Sequence, residues 1–193
     1  MPPVNEERRA LLADAALTVI ARLGPPGLSH RAVDEEAAVP KGTTSNYFRT
    51  RQALLVAALT RVAGLHLGWI AEERAKFDGP LDRDGVAEVM SAVVEQAITT
   101  HRAQYIALFE LALESTRRPE LLEIMPEVFG SAVGVLQEAH RSTEPNALEL
   151  RMVAMFYNGA VFTSLVVPNL LGGLAPRDIT RAMLRLVLTG RGD

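Results

Sequence analysis

The sequence predicts an all-α protein of nine or ten helices, and three observations carry that reading. Apolar residues recur at helical spacing over most of the 193 residues. No stretch alternates apolar and polar residues as a half-buried strand does. Helix starts and stops are marked by Asn, Ser, Thr or Asp caps and by Gly-Pro clusters. With 48% hydrophobic content and no internal repeat, the chain has material for a sizeable core. It reads as a head over residues 1–50 and a larger helical body over residues 51–193, joined by the long helix that opens the body.

Taken in order, the first helix runs from Asn5 to Leu23. Leu12, Ala16, Val19, Ile20 and Leu23 fall on its inner face, Asn5 is its cap, and Gly24-Pro25-Pro26-Gly27 stops it. Ser29 caps a second helix on which Val33 and Ala37 share a face. Pro40 biases Val39 away from the α region and opens a short third helix, roughly Pro40 to Tyr47. Thr50 caps a fourth that stays helical from Arg51 to about Phe77, some 40 Å at the standard rise. Gly64 and Gly68 weaken its middle.

Asp78-Gly79-Pro80 ends that helix. Two strongly apolar helices follow, Val86 to Thr100 and Ala103 to Thr116, joined near His101-Arg102, which is expected to be exposed. Pro126 kinks or splits the next run, Glu120 to His140, at Met125. Asn146 to Val167 and Pro176 to Thr189 are the last two long helices, and Gly190 to Asp193 should fray.

Composition narrows the function. There is no cysteine, so disulfides, thiolate metal sites and cysteine nucleophiles are excluded. The N-terminus has no basic-then-apolar leader, and charges should interrupt each apolar run before bilayer length. A soluble, cytoplasmic protein without membrane contact is expected. The net charge of −3 argues against a protein that coats nucleic acid indiscriminately. Residues 1–51 carry seven Lys/Arg against six Asp/Glu, and the remainder thirteen against seventeen. Specific contacts, not bulk charge, would have to place the head on DNA. The four histidines lack metal-ligand spacing, and no G-x-S-x-G, P-loop or G-x-G-x-x-G is present. No catalytic residue, metal or cofactor is expected.

The most informative stretch is Leu28 to Leu55. Its short third helix presents Lys41, Gly42, Thr43, Thr44, Ser45 and Asn46, small hydrogen-bonding groups with almost no apolar stripe. A helix of that kind buries little, and a short polar helix held by its neighbours is how a helix-turn-helix offers side chains to the major groove. The stretch resembles the DNA-binding domain of the tetracycline-repressor (TetR) family of bacterial transcriptional regulators. The resemblance rests on Ala37-x-Val39, Lys41-Gly42-Thr43, Tyr47-Phe48 and a cap followed by Leu54-Leu55. Two positions depart from it. Ala38 stands where the turn usually has Gly, and Asp34 where a small Ala commonly packs.

Candidate DNA contacts follow. Lys41 and the Tyr47 hydroxyl suit phosphate. Ser29, Arg31, Thr50 and Arg51 sit at helix starts, where free amides and cations can also meet phosphate. Thr43, Thr44, Ser45 and Asn46 are the candidates for base edges, with His30 either joining them or capping. In the body the resemblance implies a ligand cavity. His66, Trp69, Met90, Tyr105, Phe109, Glu110, Phe129, Phe156 and Asn158 are its candidate lining, although Met and Phe at helical spacing more often fill a core. The family also pairs its last two helices with those of a second copy. Gly159, Phe162, Met183 and Val187 are the corresponding interface candidates here.

The sequence therefore reads as a homodimeric regulator, a repressor, that binds a double-stranded operator and releases it when a small apolar effector enters the body. A helical regulator with a protein partner and no effector is the alternative. A helical enzyme is a third, disfavoured by the polar Lys41 to Asn46 helix.

Overall fold

The computed structural model describes residues 5–126, 128–130 and 147–188. Among them the chain is all-helical, with nine α-helices and one 3-10 helix. These are α1 (Glu6–Gly27), α2 (His30–Glu36), α3 (Thr43–Tyr47), α4 (Arg51–Arg74), α5 (Arg83–Ile98), α6 (Arg102–Ser115), α7 (Pro119–Leu122), α8 (Ala147–Val166), the 3-10 turn Pro168–Leu171 and α9 (Pro176–Leu188). Of the helix expected over residues 120–140, α7 is followed by a turn at Glu123-Ile124 and by helical residues at 125–126 and 128–130. The rest of that run, the 146 start of α8 and the fraying tail 190–193 lie outside the described residues.

Two compact units are present. One comprises Met1–Leu65 with Ala103–Pro126, the other His66–Arg102 with Glu127–Asp193. The boundary between these units falls inside α4, between Leu65 and His66, because the first half of that helix buries Leu54, Leu55, Ala58, Leu59 and Val62 in the core of the first unit.

In the first unit, the Asn5 side chain accepts from the Arg8 amide at 2.9 Å and starts α1. The helical assignment runs to Gly27, but Gly24 has φ 67°, ψ 173° and breaks the geometry where the sequence placed the stop. An oxygen of Glu110 on α6 lies 3.8 Å from where a Cβ on Gly24 would stand. Leu12, Ala16, Leu17, Val19 and Ile20 are fully buried, together with Leu28, Val33 and Phe48. Arg61 on α4 forms a paired-nitrogen bridge to Asp14 on α1, at 2.7 and 2.8 Å. α4 contains an 18-residue window apolar and long enough to cross a membrane by composition, so charges do not interrupt every run. Every such window includes Arg61, whose partner is another helix of the same unit.

In the second unit, α9 lies along α5 through a ladder of ion pairs. Arg177 meets Glu95 at 2.9 Å, Arg181 meets Glu88 at 2.5 Å and Arg185 meets Asp84 at 2.8 Å. Three arginines at i, i+4, i+8 face acidic residues running the opposite way, as antiparallel helices require. α5 buries Val86, Val89, Met90, Val93, Val94 and Ala97, and Asp82 caps it through the Gly85 amide. α4 ends at Arg74, three residues short of expectation, because the Arg74 guanidinium donates to the carbonyls of Phe77 and Gly79 and closes a turn there.

Ala38 has φ 51°, the one positive φ outside glycine among the described residues. The α2–α3 turn therefore keeps the left-handed geometry that the family fills with Gly. An L-residue loses about 1–2 kcal/mol there, and a glycine would lose about 0.5–1 kcal/mol of unfolded-chain entropy instead. Ala38→Gly should raise stability slightly, by about 0.5 kcal/mol, whereas Ala38→Val should lower it; thermal unfolding of the two variants decides.

Candidate DNA-contact helix and body sites

α3 has only five residues, starting after Gly42 at φ 92°. It is shorter than the Pro40–Tyr47 span expected because that left-handed residue cannot continue an α-helix; Pro40 to Gly42 form a turn instead, with the Thr43 amide bonded to the Pro40 carbonyl at 3.1 Å. Gly42 has no side chain with which to cap the helix. The cap comes from α2. Asp34, 3% exposed, accepts from the Gly42 amide (2.7 Å), the Thr44 amide (2.7 Å) and the Thr44 hydroxyl (2.6 Å). Burial pushes its pKa up, but those three bonds, helped by nearby His30, outweigh it and hold the carboxyl below its usual value.

This arrangement corrects one candidate outright. Thr44 is fully buried with its hydroxyl on Asp34, so it cannot reach a base edge. Arg51 is a second correction: its guanidinium turns inward, bonding the Leu28 carbonyl at 3.0 Å and the Pro25 carbonyl. His30 neither caps nor faces outward; its Nε2 donates to the Phe48 carbonyl at 2.6 Å and ties the start of α2 to the end of α3. The Thr43 hydroxyl bonds the Pro40 carbonyl (2.6 Å) and the Ser45 hydroxyl the Gly42 carbonyl (2.9 Å), and both residues are half-buried.

Lys41 and Asn46 are exposed and Tyr47 is half-buried. Ser29 and Thr50 are exposed caps, on the Ala32 and Ala53 amides at 3.1 and 3.0 Å. Arg31 is exposed but paired with Glu35 at 2.8 Å, which holds its charge and raises its pKa. Sequence reasoning passed over Arg49, which is exposed at the corner between α3 and α4. The signal was there: Arg49 precedes the cap and Arg51 follows it, so the two point differently. Beneath α3, the Arg9 guanidinium lies 4.7 Å over the Phe48 ring and backs the corner from α1.

The nine body candidates do not share one unit. Tyr105, Phe109 and Glu110 belong to the first, the other six to the second. Tyr105 and Met90 are core side chains at 2% and 0% exposure. Phe109, Glu110, Phe129 and Asn158 are half-buried, and the Asn158 amide donates to the Ala154 carbonyl of its own helix. Glu114, one turn after Glu110, is bridged by Arg118 (2.5 Å) and Arg117 (3.0 Å), and Arg118 above all keeps its pKa low.

On the second half of α4, His66, Trp69 and Glu73 are all buried within the second unit. The His66 ring lies 5.6 Å from that of Tyr157. The Trp69 indole stacks on His101 with centroids 3.8 Å apart and planes 8° from parallel, so His101 is half-buried rather than exposed. Glu73 accepts from Lys76 at 2.5 Å and from the Gln96 amide.

Phe156 lines a different hollow. An apolar groove of about 230 Å³ runs between α8 and α9, bordered also by Met155, Gly159, Ala160, Ile179 and Met183. Beside it Phe162 is 43% and Met155 76% exposed, and Leu186 projects from α9 at 74%. Val187 is half-buried. Of the four interface candidates, Gly159 and Met183 thus border this groove and Phe162 lies beside it.

Residues 81–190 match the family described as tetracyclin repressor-like, C-terminal domain. No curated protein matches the chain significantly. Among solved structures it resembles the multidrug binding protein EbrR complexed with ethidium, at 27% identity over 95% of this chain and 99% of that one, with a TM-score of 0.71. EbrR is also known in complexes with proflavin and malachite green. A TetR family member from Streptomyces coelicolor A3 is 29% identical over 94% of this chain and 98% of that one, TM-score 0.74. A transcriptional regulator from Rhodococcus sp. Rha1, 19% identical over 94% and 96%, shares the fold at TM-score 0.76.

Burial lowers the His66 pKa from 6.5 to about 4. The folded protein keeps the ring neutral while the unfolded chain takes up a proton below about 6.5, so stability should fall as pH drops from 6.5 toward 4. The loss is at most about 3 kcal/mol. His66→Leu should flatten that slope in denaturation measured across this range; an unchanged slope would assign the pH dependence elsewhere.

Proposed function

This chain belongs to the tetracycline-repressor family of soluble, DNA-binding transcriptional regulators, and from that premise we propose that it is a cytoplasmic homodimeric repressor whose operator affinity is lowered by a small aromatic effector. The observation that carries the reading is α3, a five-residue helix held from below by Asp34 with Lys41, Asn46 and neighbouring Arg49 exposed. Lys41, Arg49 and the Tyr47 hydroxyl are the proposed phosphate contacts. Asn46, which can pair bidentately with adenine, is the principal base reader.

A second copy is the proposed cover for the α8–α9 face. One recognition helix reads too few base pairs to be selective, so two copies must act on half-sites about one DNA turn (~34 Å) or a multiple apart. Selection of bound genomic fragments should return twofold-symmetric sites. On them Lys41→Ala should weaken binding to every sequence alike and reduce the salt slope by about one unit, whereas Asn46→Ala should change which sequence is preferred. Fragments without symmetry, or two variants that behave identically, would reject the reading. Phe162→Glu should give helical monomers by sedimentation that no longer hold the operator.

EbrR supplies the effector chemistry to try. Ethidium, proflavin and malachite green are aromatic cations, and the buried imidazole, indole and carboxylate of His66, Trp69 and Glu73 on one helix suit that class. The same helix offers the route to the head. Its division between units falls between Gly64 and Gly68, and a Cβ at either would meet nothing within 4 Å. Each glycine costs about 1 kcal/mol of helix stability against alanine, which makes this segment the easiest place to bend. Gly64→Ala with Gly68→Ala should therefore fold well, bind dye like wild type and lose much of the dye's effect on operator affinity. A double variant that responds like wild type places the hinge elsewhere.

A further inference from the structure

We propose that Asp34 is the positioning residue of operator recognition, capping α3 from α2 and thereby fixing which face of α3 meets DNA. The inference rests on the reading of α3 as the recognition helix, and goes beyond it by assigning α3's orientation to a residue that cannot itself touch a base.

A helix begins with amides that have no partner within it, and one this short cannot hold itself by its own bonds. Gly42, at the N-cap position, makes no side-chain cap bond. Asp34 makes good that lack from another helix with both carboxylate oxygens: Oδ2 accepts from Gly42 N–H, and Oδ1 from Thr44 N–H and Oγ–H. Bonds to an ionised acceptor are about twice as strong as neutral ones, and three of them converge on one buried side chain.

Two consequences follow for DNA. Thr44 is drawn inward, so Asn46, two residues on and therefore across the helix, is turned outward. The first amides of α3 are also occupied, so they are not offered to a phosphate as those of an uncapped helix would be. Positive charge at this end must come from side chains, and Lys41 is the exposed cation beside it. Asparagine cannot replace Asp34, since one of its two terminal atoms donates where both must accept.

The test compares full-length wild type with Asp34→Asn, Thr44→Val and Thr44→Ser. It measures affinity for the selected operator and for a scrambled duplex of equal length, together with amide exchange at Gly42 and Thr44. Asp34→Asn should lower the ratio of operator to scrambled affinity at least tenfold, with scrambled binding and salt slope near wild type and both amides deprotected. Thr44→Val should give a smaller loss, and Thr44→Ser, which keeps the hydroxyl, should restore the wild-type ratio. Circular dichroism and sedimentation should report folded dimers throughout. Equal loss of operator and scrambled binding in Asp34→Asn would make its role merely structural and overturn the proposal, as would protected amides or an unchanged ratio. A wild type that does not discriminate the two duplexes would instead remove the reading of α3, and the amide exchange would still decide the cap.

Discussion

A helix of five residues has too few internal bonds to exist alone, and the start of α3 is held by one carboxylate. Asp34 gathers two amides and a hydroxyl from the start of α3 while standing on α2. His30, on the same helix, closes the other end through the Phe48 carbonyl. α2 thus grips α3 at both ends. Phe48, with Arg9 over its ring, then anchors the chain as it leaves for α4. Lys41, Asn46 and Arg49 are among the groups that remain exposed around α3.

The same economy governs α4. Its first half supplies core residues and the Arg61–Asp14 bridge to the first unit, and its second half buries His66, Trp69 and Glu73 in the second. A helix that serves two cores and contains two glycines near the division is a natural element on which a ligand can act. Effector control then requires only that the ligand prefer one arrangement of that helix over another. α9 is committed differently. Its arginines are turned to α5, and Leu186 on another face of α9, with Met155 and Phe162 of α8, stays exposed.

Most of the architecture could be read from the sequence because it is written in local signals. Asn5, Ser29 and Thr50 all mark helix starts where the structure has them, and Gly24 breaks α1 where expected. Even the strain at Ala38 was legible, since only the turn geometry and the missing glycine were needed. What could not be read is tertiary. Asp34 looked like a misplaced charge because its partners lie eight and ten residues on. For the same reason Thr44 looked available for a base, and the carbonyls of Pro25 and Leu28 that hold Arg51 inward could not be foreseen. His101 looked exposed because nothing local predicts that an indole 32 residues earlier stacks on it. Nor can side-chain type in the body say which apolar groups line a hollow. Phe156 lies on the α8–α9 groove, while Tyr105 and Met90 fill cores.

Ligand control of operator binding is a statement about coupled equilibria, so reciprocity tests it most directly. Malachite green affinity would be measured with and without saturating operator, and operator affinity with and without saturating dye, using a non-operator duplex to correct for dye bound to DNA. The account predicts that each weakens the other by one common factor, about 5- to 150-fold, as a coupling of roughly 1–3 kcal/mol requires. Operator affinity that is unchanged at saturating dye would contradict it.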